Sequence, residues 1–165
     1  MQRLYYSEEY LAGIHIIAVS DGKALKKILL NSALPTNLQP DLSHQTDSVL
    51  FETFKQLKEY FFNGRKDFSL PLDPDGTAFQ KFVWAQLLSI PYGRTISYKQ
   101  LAETIGDRKL VRAVGRANAL NPVPIIIPCH RVIGTNGSLV GYSGGIEIKR
   151  YLLELEGALQ KKSIG

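Results

Sequence analysis

Residues 121–134 read Asn121-Pro122-Val123-Pro124-Ile125-Ile126-Ile127-Pro128-Cys129-His130-Arg131-Val132-Ile133-Gly134, and Cys129 is the one cysteine of the chain. A lone cysteine behind an apolar run is in most proteins an inert buried hydrophobe. His130 and Arg131 argue for a second reading. Thiolate is the nucleophilic form of cysteine, and a neighbouring cation or an accessible base is what produces it near neutral pH. Along a strand, adjacent side chains point to opposite faces. A Cys129–His130 interaction therefore requires a backbone bend or a bridging water.

Downstream, Gly134-Thr135-Asn136-Gly137-Ser138 reads as a turn. Gly141-Tyr142-Ser143-Gly144-Gly145 follows, either a plain surface loop or a segment whose backbone amides and serine hydroxyl approach a ligand. A final helix is expected over residues 146–156, with Ile148, Tyr151, Leu152 and Leu155 on one face and Gly157 as its stop. Glu156 then sits at the wrong pole of the helix dipole, a position better tolerated if a histidine or arginine holds it.

Upstream, Ser97-Tyr98-Lys99-Gln100 has capping-box spacing and opens a short helix through Leu101, Ala102 and Ile105. Gly106-Asp107 makes a turn into a second helix. There Val111, Val114 and Ala117 face inward, and Arg108, Lys109, Arg112 and Arg116 face outward. Ala113 and Gly115 are small enough to let that helix approach another surface closely. This is the layout of a helix-turn-helix, and equally of an αα-hairpin in an enzyme core. Arginines at four-residue spacing favour the first.

Thr77-Ala78-Phe79-Gln80 is a second capping box, starting a helix with Phe79, Phe82, Val83 and Leu87 on one face and ending before Pro91-Tyr92-Gly93. Residues 64–76 lack periodicity and contain Gly64, Pro71, Pro74 and Gly76, which reads as an interdomain linker. Two domains follow from this, residues 1–70 and 71–165. In the first, Ile14, Ile16 and Ile17 mark a strand ending in a hairpin at Asp21-Gly22, and Leu25, Ile28, Leu29 and Leu30 mark the next. Residues 31–46 read as a loop. Leu50, Phe51, Phe54, Leu57, Tyr60 and Phe61 repeat at helical spacing from about Asp47 to Asn63, with Gly64 as the C′ residue.

The charge divides at the same place. Residues 1–75 carry 8 Lys/Arg and 10 Asp/Glu, net −2, while residues 76–165 carry 12 and 5, net +7. Such a basic half suggests a face that meets a polyanion, most often nucleic acid. A hydrophobic content of 44% with 21% charged residues excludes wholesale disorder. One cysteine excludes an intramolecular disulfide, and with His15, His44 and His130 it is the whole stock of usual N/S metal ligands, too few for a Cys-rich zinc site. The N-terminus lacks the apolar stretch of a signal peptide and no run approaches a membrane span. A soluble cytoplasmic protein is expected.

The run from Asn121 to Gly134, followed by Gly141-Tyr142-Ser143-Gly144-Gly145 and by Tyr151-Leu152-Leu153-Glu154-Leu155-Glu156-Gly157, resembles the O6-alkylguanine-DNA alkyltransferases, or methylated-DNA–protein-cysteine methyltransferases. The resemblance covers residues 77–165, and Pro-Cys-His-Arg-Val is its hallmark. Residues 1–70 resemble the family's variable N-terminal domain in length and in β-then-helix order. An α+β fold is implied: a small sheet-plus-helix domain, ribonuclease-H-like in the family, then a mainly helical domain with a winged-helix-like helix-turn-helix.

The resemblance also implies site roles. Cys129 is the alkyl acceptor, and His130 and Glu156 form a Cys–water–His–Glu relay that draws off the thiol proton. Asn121 bridges the turn after the second helix to the active-site segment. Tyr98 lines the base pocket and helps to protonate the leaving guanine. Ser143 donates to guanine O6, and Pro124, Tyr142 and Val132 wall the pocket. Arg112 enters the base stack in place of a flipped nucleotide. Ala113 and Gly115 lie close to the minor groove, and Arg94, Ser97, Arg108, Lys109 and Arg116 belong to the DNA-binding surface. The implied partner is double-stranded DNA containing O6-alkylguanine, with O4-alkylthymine a further substrate and the protein a monomer. No metal or cofactor is expected.

Arg116 and Ala119-Leu120 depart from the small or glycine-containing residues common in relatives, which bears on DNA affinity and alkyl-group size. Two other readings use the same residues: a binding-only damage sensor or regulator, against which Cys129 itself counts, and a cysteine hydrolase, which the basic helix does not support.

Overall fold

The computed structural model describes residues 2–40 and 48–160. His44, Asp47 and part of the loop expected over 31–46 lie outside the described residues. The chain divides into two compact units, Met1–Asp75 and Gly76–Gly165.

In the first unit three antiparallel strands, β1 (Tyr5–Leu11), β2 (Ile14–Ser20) and β3 (Leu25–Leu30), form a sheet that β4 (Gln39–Pro40) extends by pairing parallel to β1, in the order β3-β2-β1-β4. The tight hairpin lies at Ala12-Gly13, where both residues have positive φ (52° and 78°). This is the backbone that a two-residue turn between twisted strands requires. The connection at Asp21-Gly22 is wider. There the Asp21 carboxylate accepts from the Lys23 and Ala24 amides at 2.8 and 2.9 Å. Helix α1 (Ser48–Phe62) buries Leu50, Phe54, Leu57, Tyr60 and Phe61, but Phe51, expected on that face, is 53% exposed.

The segment expected to be a linker belongs instead to this unit through residue 75. Leu25 donates to the Pro71 carbonyl at 2.7 Å and accepts from the Asp73 amide at 3.0 Å. The buried Gln56 side chain exchanges two hydrogen bonds with Ser69, and Lys26 reaches Asp73 and Asp75 at 3.0 Å. The free edge of β3 finds its partner here, which composition alone does not reveal.

The second unit contains α2 (Ala78–Leu87), β5 (Ile96–Ser97), α3 (Tyr98–Ile105), α4 (Val111–Ala119), β6 (Val132–Ile133) and α5 (Ile146–Leu155). Both capping boxes form, with Thr77 and Ser97 accepting from the Gln80 and Gln100 amides and each glutamine reaching back to the cap. Gly106 ends α3, and a 3-10 turn over Arg108–Leu110 leads into α4. The cores of these helices differ from the periodic reading at single positions. Trp84 is buried and Phe82 exposed, because the indole Nε1 donates to the Ala117 carbonyl of α4 at 2.8 Å. Val111 is exposed while Val114 and Ala117 are buried. On α5, Tyr151 is exposed and Lys149 is completely buried.

Candidate active site

From Asn121 to Pro128 the chain that leads to Cys129 is neither strand nor helix. Asn121 holds its first bend, accepting from the Val123 amide at 3.0 Å and donating Nδ2 to the Ile127 carbonyl at 2.7 Å. Ile125, buried and β-branched, is held at φ +73°, a strained conformation for such a residue. Pro128, at φ −82° and ψ 63°, is the centre of an inverse γ-turn closed by the Cys129 amide on the Ile127 carbonyl at 2.8 Å. A single 3-10 turn, Cys129–Arg131, follows. Cys129 and His130 are therefore not on opposite faces of a strand.

Strand β6 leaves that turn and pairs parallel with β5, Ile96 opposite Val132 and Ser97 opposite Ile133. This two-residue ladder joins the start of α3, and with it Tyr98, to the backbone that carries the cysteine.

His130 and Glu156 are fully buried and 2.7 Å apart, Nε2 to Oε2. Arg131 clamps the same carboxylate through Nε (2.8 Å) and Nη2 (3.0 Å), and its Nη1 donates to the Ile90 carbonyl at 2.7 Å. The Gly93 amide approaches Glu156 Oε1 at 3.4 Å. Gly93 has φ +79°, and a Cβ there would meet the Glu156 carbonyl oxygen at 3.0 Å, so the Pro91-Tyr92-Gly93 turn fits only glycine comfortably.

The electrostatics follow from these contacts. Burial alone would raise the Glu156 carboxyl, but the hydrogen bonds from His130 and Arg131 overcome it and hold the group at about 2. Burial lowers the His130 pKa; the Glu156 hydrogen bond and charge oppose this, and the Arg131 and Lys149 charges add to it. A neutral imidazole facing a carboxylate through Nε2 carries its proton there, which makes Nδ1 the lone-pair nitrogen. Nδ1 is buried and has no hydrogen-bond partner among the described residues. Arg131 matters here because it neutralises Glu156 and leaves the histidine a base rather than a resting cation.

Burial pushes the Cys129 thiol up to about 11, against the opposing pull of the Asn121 side chain and the Lys149 charge. At neutral pH the thiolate fraction is then on the order of one in ten thousand, so the thiol needs a base at the moment of reaction.

Lys149 has no part in the sequence reading. It is completely buried on α5 and donates to the Val132 carbonyl at 2.7 Å and the Val140 carbonyl at 3.0 Å. Its Nζ lies 5.8 Å from the centre of the Tyr98 ring. Burial lowers its pKa to about 8, against the Cys129 charge. A lysine next to Ile148, outside the apolar face expected for the helix, gave no sequence signal of this burial.

The Tyr98 hydroxyl donates to the Val140 carbonyl at 3.0 Å. Of the other residues expected to wall the base pocket, Pro124 and Val132 are buried, Ser143 is exposed, and the Tyr142 hydroxyl is buried with no partner among the described residues. The side chains of Arg94, Arg108, Lys109, Arg112, Ala113 and Arg116 are exposed, Gly115 and Ser97 partly so. Arg108 pairs with Glu103 at 3.5 Å. Ser97 is occupied as the N-cap of α3.

A buried thiol, a neutral histidine base held by a carboxylate–arginine pair, and a helix pair with exposed arginines define an α+β protein built for group transfer to cysteine. Residues 78–158 match the family model described as the DNA-binding domain of 6-O-methylguanine DNA methyltransferase. The chain is 44% identical over 143 residues to a methylated-DNA–protein-cysteine methyltransferase of Methanosarcina acetivorans, covering 87% of this chain and 92% of that protein. It is 52% identical over 114 residues to the constitutive enzyme of that name from Bacillus subtilis, 68% of this chain and 69% of the relative. The crystal structure of the Mycobacterium tuberculosis O6-methylguanine methyltransferase superposes with a TM-score of 0.84 at 38% identity, covering 98% and 97% of the two chains. A structure of the M. tuberculosis protein in complex with DNA superposes at 0.81 with 39% identity, covering 94% and 93%. The chain belongs to the methylated-DNA–protein-cysteine methyltransferase family.

Proposed function

We propose that this protein repairs O6-alkylguanine in double-stranded DNA by moving the alkyl group irreversibly onto Cys129. The observation that carries the reading is the buried His130, next in sequence to the cysteine, whose Nε2 is bound to Glu156 and whose Nδ1 has no hydrogen-bond partner among the described residues. His130 Nδ1 takes the thiol proton through a water. The sulfur attacks the alkyl carbon in line, a C–S bond forms as the C–O6 bond breaks, and the electron pair stays with guanine. Tyr98 supplies a proton to the departing base, and the proton held by His130 replaces it through solvent. The balance is one thiol and one alkylguanine consumed, one thioether and one guanine produced.

An alkyl carbon inside a duplex is out of reach, so the nucleotide must be extruded at a cost of a few kcal/mol. Arg112 fills the gap and Ala113 and Gly115 permit close approach to the minor groove, while Arg94, Ser97, Arg108, Lys109 and Arg116 face phosphates. Pro124, Val132, Tyr142 and Ser143 form the base pocket, with Ser143 at O6 and Asn121 keeping the segment bent. In this reading α3 and α4 are a helix-turn-helix of winged-helix type, and the N-terminal domain expected over residues 1–70 is ribonuclease-H-like. The protein acts as a cytoplasmic monomer, accepts O4-alkylthymine as well, and needs no metal or cofactor, so chelators leave the transfer unchanged.

The test is to mix the protein with an equimolar O6-methylguanine duplex and weigh the peptide containing Cys129. One methyl increment per chain, absent in Cys129→Ser, is expected. Tight binding with an unmodified Cys129 would reduce the protein to a damage sensor.

A further inference from the structure

His130 stays a base only while Arg131 keeps its guanidinium on Glu156, and an arginine side chain is long and loses much rotamer freedom when held in one pose. The turn over residues 90–94 encloses that guanidinium. Arg131 Nη1 donates to the Ile90 carbonyl at 2.7 Å, and Cζ lies 5.8 Å from the centre of the Tyr92 ring, within cation–π range. The Tyr92 hydroxyl donates to the Leu155 carbonyl at 3.3 Å, on the last residue of α5 and one before Glu156. The next amide, Gly93, approaches Glu156 Oε1 at 3.4 Å, and the Arg94 amide closes the turn on the Pro91 carbonyl at 3.1 Å. Tyr92 thus meets the arginine with its face and the helix that ends at the acid with its hydroxyl. The ring is half-buried over a buried guanidinium, and no step of the transfer uses it.

We infer that Tyr92 is a positioning residue that acts through Arg131: its ring, tied by its hydroxyl to the end of α5, keeps the guanidinium on the Glu156 carboxylate and so keeps His130 an unprotonated base. The inference rests on the proposed alkyl transfer. Without the ring the guanidinium gains freedom and water, and it neutralises the carboxylate less completely. A less neutralised carboxylate favours the imidazolium. The charged groups that bear on His130 are Glu156 and Lys149 from α5 and Arg131 from its own turn. Glu156, held at about 2, and Lys149, lowered to about 8, both stay charged through mildly acid pH. Cys129, pushed up to about 11, and Tyr92, Tyr98 and Tyr142, all raised by burial, stay neutral there. The acid limb of alkylation therefore reports His130.

The experiment is the pH profile of the single-turnover rate of Cys129 alkylation by free O6-benzylguanine, on the full chain, with melting curves at each pH to establish folding. Tyr92→Leu should match wild type on the neutral plateau and fall about threefold below it on the acid limb, the scale of one cation–π contact. Tyr92→Phe, which keeps the ring, should restore the wild-type profile. In an Arg131→Met background Tyr92→Leu should move the limb no further. If Tyr92→Leu does not fold, Tyr92→Met takes its place with the same expectation. A loss equal on plateau and limb is that of a merely structural residue and overturns the inference. So does an acid limb that Tyr92→Phe fails to restore, or one that moves again when both residues are changed. A wild-type protein that leaves Cys129 unalkylated overturns the proposed function, and this inference with it.

Discussion

At Cys129 the resting chemistry is that of a thiol, held neutral by burial near a pKa of about 11, so reactivity depends on a base rather than on a standing thiolate. In the proposed transfer His130 provides it, and only while unprotonated. Since burial sets its pKa below the ordinary value of 6.5, the alkylation rate should stay level through neutral pH and fall only as pH drops below that value. Stopped reactions with free O6-benzylguanine across pH 5–8 read this directly; a loss centred above pH 6.5 would contradict the neutral-histidine assignment. Arg131→Met removes a positive charge that lowers the His130 pKa, so this acid limb should move to higher pH. The same variant leaves Glu156 short of donors, at a stability cost of about 3–5 kcal/mol measurable by urea unfolding. Glu156 has a folded pKa of about 2 against 4.5 for the free group, so its contribution is complete above about pH 4.5 and is lost as pH falls toward 2. Glu156→Gln should flatten that part of the acid-unfolding curve.

Among the elements, α3 is the one that local sequence specifies most completely. Ser97 and Gln100 close the capping box, and the Ser97 hydroxyl accepts the Gln100 amide at 3.0 Å. Ser97→Ala should cost about 1 kcal/mol in thermal melting. Because Tyr98 is the first residue of that helix, repair should slow as well. Helix α4 presents an exposed Arg112. Arg112→Ala should slow repair of a duplex well beyond its effect on free O6-benzylguanine. Equal losses on the two substrates would remove Arg112 from any role in extruding the nucleotide.

For the whole molecule, the separation of charge matters more than the net +5. The +7 of residues 76–165 belongs to the unit that holds the thiol, and the −2 of residues 1–75 to the other. If exposed arginines and lysines of the second unit bind phosphates, affinity for undamaged duplex should fall steeply with salt, log K declining with log salt by about 0.9 per phosphate contacted. Arg94→Ala and Arg116→Ala should each reduce that slope by about one. An unchanged slope would take those residues off the DNA surface.

The sequence by itself determined what depends on neighbours within a few residues: both capping boxes, the Gly106 turn, the identity of the thiol and of the histidine beside it. It also supplied the pairing candidate for Glu156, an acid at a helix end that needs a cation. It did not determine what depends on contacts far apart along the chain. The pairing of residues 71–73 with Leu25, the burial of Trp84 in place of Phe82, and the burial of Lys149 all require partners 17 to 46 positions away, at Pro71, Ala117 and Val132. Local composition carries no record of these, because a backbone carbonyl looks alike at every position. The geometry at Cys129 belongs to the same class. Prolines and an asparagine mark a break, but only the folded chain places a γ-turn and a 3-10 turn there. It also brings Arg131 to Glu156, 25 positions on, at 2.8 Å. Burial first, and that contact with it, keep His130 a neutral base: whether a histidine is base or cation depends on how deeply the fold buries it and where the charges around it are held, and neither can be read from the order of residues.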